Sequence, residues 1–219
     1  MAGWLVGVDL GQAKDYTAIS AVQQLDQPTV IPGNNKVWPR QPSRTIIGVQ
    51  YHLRHLERPK LGTTYPAIVD RVREIVARPE LRDCVLVVDA TGVGAPVVDM
   101  MRAAGLHPVP IYITGGQSVS RTKDGWHVPK RDLATNLQSL VQSERLRIAN
   151  GLAEGPALVK ELMAFRVKIN IATGHDSYEA LREGDHDDLV LSVAMPCWYG
   201  ERGASLRYTG ARHHRSSRT

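Results

Sequence analysis

The spacing of apolar residues changes character near residue 65. Before that point the chain offers short β-rich runs. "WLVGVDL" (4–10) and "YTAISAVQQL" (16–25) are apolar segments joined by the short polar "GQAKD", and they predict a hairpin. A Pro/Gly/Asn-rich stretch from 26 to 43 predicts a loop, and "TIIGVQYHL" (45–53), with its β-branched and aromatic residues, predicts a third strand. Three strands with no helix between them imply an antiparallel meander.

From there the period becomes helical. In "YPAIVDRVREIVAR", Ile68, Val69, Val72, Ile75 and Val76 share one face, and "CVLVVDA" (84–90) follows as a continuous apolar strand buried on both sides. "APVVDMMRAAG" predicts a helix stopped by Gly105, and "HPVPIYIT" (107–114) another strand. Residues 115–128 read as a loop. "PKRDLATNLQSLVQSE" starts a helix at Pro129, "RLRIA" is a short strand in a late hairpin, and "GPALVKELMAFRV" is a further helix. The last helix runs from 187 to about 199, with Leu189, Val190, Val193, Ala194, Cys197 and Trp198 as one buried stripe; Pro196 predicts a kink or an early end. The order implies an α/β fold with a mixed sheet, its first three strands antiparallel and its later ones parallel through helical crossovers.

Length and charge refine this picture. A chain of 219 residues suits one core, taken as residues 1–200, followed by a tail at 201–219. No apolar run has the length of a membrane span, and the N-terminus has no signal-peptide pattern. Cys84 and Cys197 fit no metal-ligand spacing and read as reduced core residues, so a cytosolic location is expected. Of the net charge of +5, the tail carries five Arg against one Glu, or +4, leaving about +1 for the rest. Its composition predicts disorder, and its arginines suit either a solubilising terminus or an arm that grips DNA.

The densest chemistry lies at "EGDHDDLVLSVAM" (183–195), where acids crowd the entrance of a buried helix. One carboxylate among Asp185, Asp187 and Asp188 would satisfy a helix cap and its dipole. The others repel one another unless a cation offsets them. Asp9 and Asp89 fall near the C-terminal ends of their strands, where open α/β sheets place ligands. Such a carboxylate set with no companion Cys suits Mg²⁺ or Mn²⁺, and two such ions can activate water for phosphodiester hydrolysis. His186 reads as facing outward or orienting a carboxylate.

Six ordered blocks, "GVDLGQAKDYTAISAV", "VLVVDATGVGAPVVDMM", "VPIYITGG", "VPKRDLATNLQSLVQSERLRIA", "LVKELMAFRV" and "EGDHDDLVLSVAM", together resemble the nuclease domain of phage terminase large subunits. The resemblance covers about residues 5 to 199. It implies a ribonuclease H-like fold and a two-metal endonuclease acting on double-stranded DNA. Asp9, Asp89, Asp187 and Asp188 would be its catalytic and metal-binding residues, with two Mg²⁺ or Mn²⁺ ions when substrate is bound. Asp15 would hold the hairpin. Lys130, in "VPKRDL", would approach phosphate or simply be a solvated lysine at a helix start; Arg131 beside it, and Arg207 and Arg212 in the basic tail, are further candidates for contact with DNA. The implied setting is a phage or prophage protein in a bacterial host, with a separate packaging ATPase, a small terminase or a portal protein as partners. The sequence contains no G-x-x-x-x-G-K-[ST] loop, so the chain is expected to be a nuclease module that does not itself translocate DNA.

Other readings compete. A Holliday-junction resolvase would share the fold and the metal chemistry. "GVDLG" and "VVDATGVG" also resemble the phosphate turns of actin-like and sugar-kinase ATPases, although those use two related domains and this chain shows no repeat. A catalytically silent DNA-binding scaffold would have no need of the acid set. A dinucleotide site fails because Val97 stands where the third glycine is required.

Overall fold

A computed structural model describes residues 3–11, 15–31, 44–164 and 187–213, with the backbone alone at 28–31, 44–47 and 204–213. Its first strand, β1 (Gly3–Asp9), alternates sharply. Leu5 faces one core while Val6 and Val8 face the other. Next come β2 (Ala18–Ile31) and β3 (Arg44–Glu57), then α1 (Tyr65–Val76), β4 (Val85–Asp89), α2 (Gly94–Ala103) and β5 (Pro108–Thr114). The remainder is β6 (Ser120–Arg121), β7 (Trp126–Pro129), α3 (Lys130–Gln142), β8 (Leu146–Ile148), α4 (Gly155–Ala164) and α5 (Asp188–His213).

All eight strands form one sheet in the order β6-β7-β5-β4-β1-β2-β3-β8. The pairs β1/β2 and β2/β3 are antiparallel, whereas β1/β4, β4/β5 and β5/β7 are parallel. The expected mixed sheet is therefore present, with helices on both faces. On one face α1 and α2 bury Ile68, Val72, Ile75, Val97 and Met101 against Val6, Val8 and Val88. On the other, α3, α4 and α5 pack Leu133, Leu137, Leu158 and the first turns of α5 against Leu5, Val22, Val87 and Ile111.

Several sequence expectations change. Of the stretch 26–43, expected to be a loop, residues 26–31 are strand instead, since β2 stays paired with β3 as far as Ile31 opposite Arg44, and 32–43 lie outside the described residues. Pro28 is tolerated within that ribbon, opposite Ile47. The loop at 115–128 holds the two short strands β6 and β7. Two residues of β6 and the polar His127 in β7 give too little periodicity to register in sequence. β8 is not half of a hairpin: it lies parallel to β3, with Tyr51 opposite Leu146.

The last helix departs furthest. From Asp188 to Trp198 every residue is buried, Leu191, Ser192 and Met195 included, so the helix is enclosed all round rather than along a stripe. It also neither ends at Pro196 nor stops near 199. Proline has no N–H to give the carbonyl of Ser192 four residues back. The Ser20 hydroxyl on β2 donates to that carbonyl instead, at 2.7 Å. Close approach is possible because Gly7 faces the helix: a Cβ there would strike the Ser192 carbonyl and the Pro196 ring. Beyond 200, Glu201 accepts from the Tyr51 hydroxyl at 2.8 Å and pairs with Arg145, while Arg202 stacks on Trp126 and Trp198. The helical backbone continues to His213, so the boundary expected at 200/201 falls inside α5, and disorder from 201 is replaced by helix through 213.

Candidate active site

The end of β1, the end of β4 and the start of α5 meet at one edge of the sheet. Asp9 is the last residue of β1 and Asp89 the last of β4; the two strands are adjacent and parallel. α5 lies across β1 and β2 with its N-terminus at the same edge, bringing Asp188 and Asp187 toward Asp9. Asp9 and Asp188 are 6% and 7% exposed, which is unusual for carboxylates and needs compensation.

Burial pushes the Asp9 carboxyl well above the ordinary aspartate range. Repulsion from Asp89, Asp188 and Asp187 pushes it the same way, as does a hydrogen bond to Asp89. Of the two, Asp9 is the group that its surroundings push the further toward the protonated form. Burial also raises Asp89, but the Thr91 hydroxyl and amide, Asp9 and Lys130 oppose that rise. The Thr91 amide donates to Asp89 Oδ1 at 2.8 Å, and the Thr91 hydroxyl accepts from the Ile113 amide at 2.8 Å, tying the turn after β4 to β5. Gly94 completes that turn, since a Cβ there would collide with the Asp89 carbonyl. The glycines of "DATGVG" thus let α2 start against the strand end that carries Asp89.

Lys130, the first residue of α3, forms an ion pair with Asp187. It contributes one positive charge against four carboxylates. Among the described residues, no three His, Cys, Asp or Glu side chains form a ready-made ligand shell. The acids are neighbours, and the donor set is all oxygen and strongly negative, which suits a hard divalent cation.

The other sequence candidates are dispersed. Asp15 is exposed and lines a cavity of about 460 Å³ with Gly11, Thr17, residues 60–64 and the first turn of α1. Arg131 donates to the Gln117 carbonyl at 2.5 Å and thereby fastens the 115–119 loop. Arg207 and Arg212 lie on the last turns of α5, where the backbone alone is described, and Asp185 and His186 fall outside the described residues. Sequence reading missed Thr91, although an Asp-x-Thr turn after a strand is a usable signal. It also missed Arg58 and Glu161, which reach α5 from distant elements and carry no local signature.

No protein-family model matches the sequence, and no curated protein does. A solved structure, the large terminase nuclease from thermophilic phage G20c, is similar over 89% of this chain and 81% of that chain, with a TM-score of 0.54 at 19% identity. The chain shares that nuclease's fold. The mixed sheet expected from the sequence, with its first strands antiparallel and its later ones parallel, is the observed architecture. Among the described residues no helix is long and apolar enough to cross a membrane.

Proposed function

We propose that the protein is a metal-dependent endonuclease that cuts double-stranded DNA, a nuclease module of phage genome packaging. The observation that carries this reading is the convergence of Asp9, Asp89, Asp187 and Asp188 from three elements at one sheet edge, in a chain with the fold of a terminase nuclease. Asp9 and Asp89, with Asp188 or Asp187, would hold Mg²⁺ or Mn²⁺, two ions being expected with substrate present. Such ions would supply an activated water and charge stabilisation of the leaving oxygen.

The chain's own residues do the positioning. Thr91 fixes one oxygen of Asp89 through its amide, and Asp89 is also hydrogen-bonded with Asp9. Burial of Asp9 and Asp188 keeps bulk water from screening them, so their pull on a cation is stronger than at an open surface. Lys130, half-exposed beside Asp187, would meet a DNA phosphate where the backbone passes the acids. Double-stranded DNA is the expected partner, and a packaging ATPase, small terminase or portal protein would supply translocation and docking.

A plasmid-nicking assay with Mg²⁺ or Mn²⁺ tests the proposal. Wild type is expected to nick and linearise supercoiled DNA, and Asp89→Ala to lose that activity. Equal cleavage by both proteins would refute the site. Preference for a four-way junction over linear duplex in the same assay would favour the resolvase reading.

A further inference from the structure

Two of the four site acids stand at the entrance of α5, so their position depends on how that entrance is held. The Asp187 carbonyl accepts the first helical bond, from the Leu191 amide at 2.9 Å, which makes Asp187 the N-cap residue. An aspartate there would ordinarily turn its carboxylate onto the first-turn amides. Here that carboxylate is engaged with Lys130 instead. The amides of Leu189 and Val190 donate to Oε2 of Glu161, at 3.1 and 3.3 Å. Glu161 lies on α4, 28 residues earlier than Leu189, so the cap comes from another helix.

Glu161 is itself anchored. Its other oxygen, Oε1, is paired with the guanidinium of Arg58, the residue that follows β3. The two side chains are 16% and 10% exposed, so the pair is largely withdrawn from water and its geometry is restrained. Arg58 also lies over the Tyr16 ring at 5.1 Å, and Tyr16 sits at the entry to β2, across the hairpin connection from Asp9. A continuous contact path thus runs from the β1–β2 connection through Arg58 and Glu161 to the first turn of α5.

We propose that Glu161, held by Arg58, is a positioning residue for the metal centre: by capping α5 from outside, it spares the Asp187 carboxylate that duty and fixes the first turn so that Asp187 and Asp188 stay beside Asp9 and Asp89, where a divalent cation would bind. The proposal rests on the metal-nuclease reading above. It also accounts for the acid-rich helix entrance, because the capping role passes to a fifth carboxylate and the aspartates remain for the site. Partners that orient a metal's ligands typically change metal affinity by about 10–100-fold when removed.

The test compares wild type, Glu161→Gln, Glu161→Ala and Arg58→Met. Mn²⁺ binding is read by electron paramagnetic resonance, amide hydrogen exchange at Leu189 and Val190 by NMR, and plasmid nicking is measured against Mn²⁺ concentration. Glu161→Gln keeps an oxygen that accepts from both amides but turns its NH2 toward Arg58 and loses that ion pair, so its Mn²⁺ affinity is expected to fall between those of wild type and Glu161→Ala. Glu161→Ala is expected to lose roughly 10–100-fold in Mn²⁺ affinity. Its Leu189 and Val190 amides should exchange roughly 2- to 30-fold faster, the equivalent of losing a helix cap. Nicking by that variant should need correspondingly more Mn²⁺. Wild-type Mn²⁺ affinity and unchanged exchange in Glu161→Ala would overturn the proposal while leaving the nuclease reading intact. A wild-type protein that neither binds Mn²⁺ nor nicks DNA would overturn the nuclease reading and this one with it. If Glu161→Ala does not fold, Arg58→Met decides: a loss of about tenfold in Mn²⁺ affinity supports the proposal, and no loss overturns it.

Discussion

Ser20→Ala should destabilise the protein through a carbonyl on a different element. Pro196 cannot donate to Ser192 O, and the Ser20 hydroxyl does so at 2.7 Å, with both serines fully buried. Removing the hydroxyl leaves a buried acceptor short of its donor, which costs about 1–3 kcal/mol. For a domain of this size each kcal/mol lowers the Tm by about 2–4 °C. The informative comparison is a double-mutant cycle with Pro196→Ala. An alanine restores the N–H that the helix would ordinarily direct at Ser192 O, so loss of the Ser20 hydroxyl should then matter less. Urea unfolding of the four proteins would give the coupling, expected to be about 1 kcal/mol or more. An equal cost for Ser20→Ala in both backgrounds would refute the idea that the serine replaces the donor proline lacks. The stake is functional as well as structural, because this contact sets α5 against β1 and hence Asp188 near Asp9.

Three further outcomes follow from the electrostatics. Asp9 is raised by burial and by its acidic neighbours, so the folded protein holds a proton that the unfolded chain has released. Stability of the metal-free protein should fall as pH rises from the unfolded aspartate value of about 3.9 toward the folded one. Asp9→Asn should therefore raise the metal-free Tm near neutral pH and remove the stabilisation that Mg²⁺ gives wild type; calorimetry with and without Mg²⁺ checks both. Glu57 behaves oppositely: burial would raise its carboxyl, but the Arg71 fork and His55 overcome that and hold it at about 2. Its contribution is present above the unfolded value of 4.5 and is lost as pH falls toward 2, so Glu57→Gln should be less stable than wild type at pH 7 and nearly equal to it at pH 2 in urea unfolding. Lys130→Met should weaken DNA binding and reduce the slope of log affinity against log salt by about one, measured by fluorescence anisotropy.

Much of the architecture is legible in the chain because each signal is local. The helical spacing of Ile68, Val69, Val72 and Ile75 marks α1, and the apolar "VLVV" before Asp89 marks a central strand. Strand-end positions were enough to nominate Asp9 and Asp89. What stayed hidden is long-range. The full burial of α5 from Asp188 to Trp198 follows from a sheet on one side and α3 and α4 around it, and its continuation through Pro196 depends on Ser20, 172 residues before the Ser192 carbonyl it reaches. The Arg58–Glu161 pair joins residues 103 apart, and nothing in either neighbourhood announces it. The β8 pairing is of the same kind, since three residues cannot encode which strand they join.

Anomalous diffraction from crystals soaked in Mn²⁺ tests whether Asp9, Asp89 and the entrance of α5 form a divalent-cation site. A peak within ligand distance of Asp9, Asp89 and at least one of Asp187 and Asp188, absent from Asp9→Asn crystals, is the predicted result. Mn²⁺ density confined to other parts of the surface would contradict it.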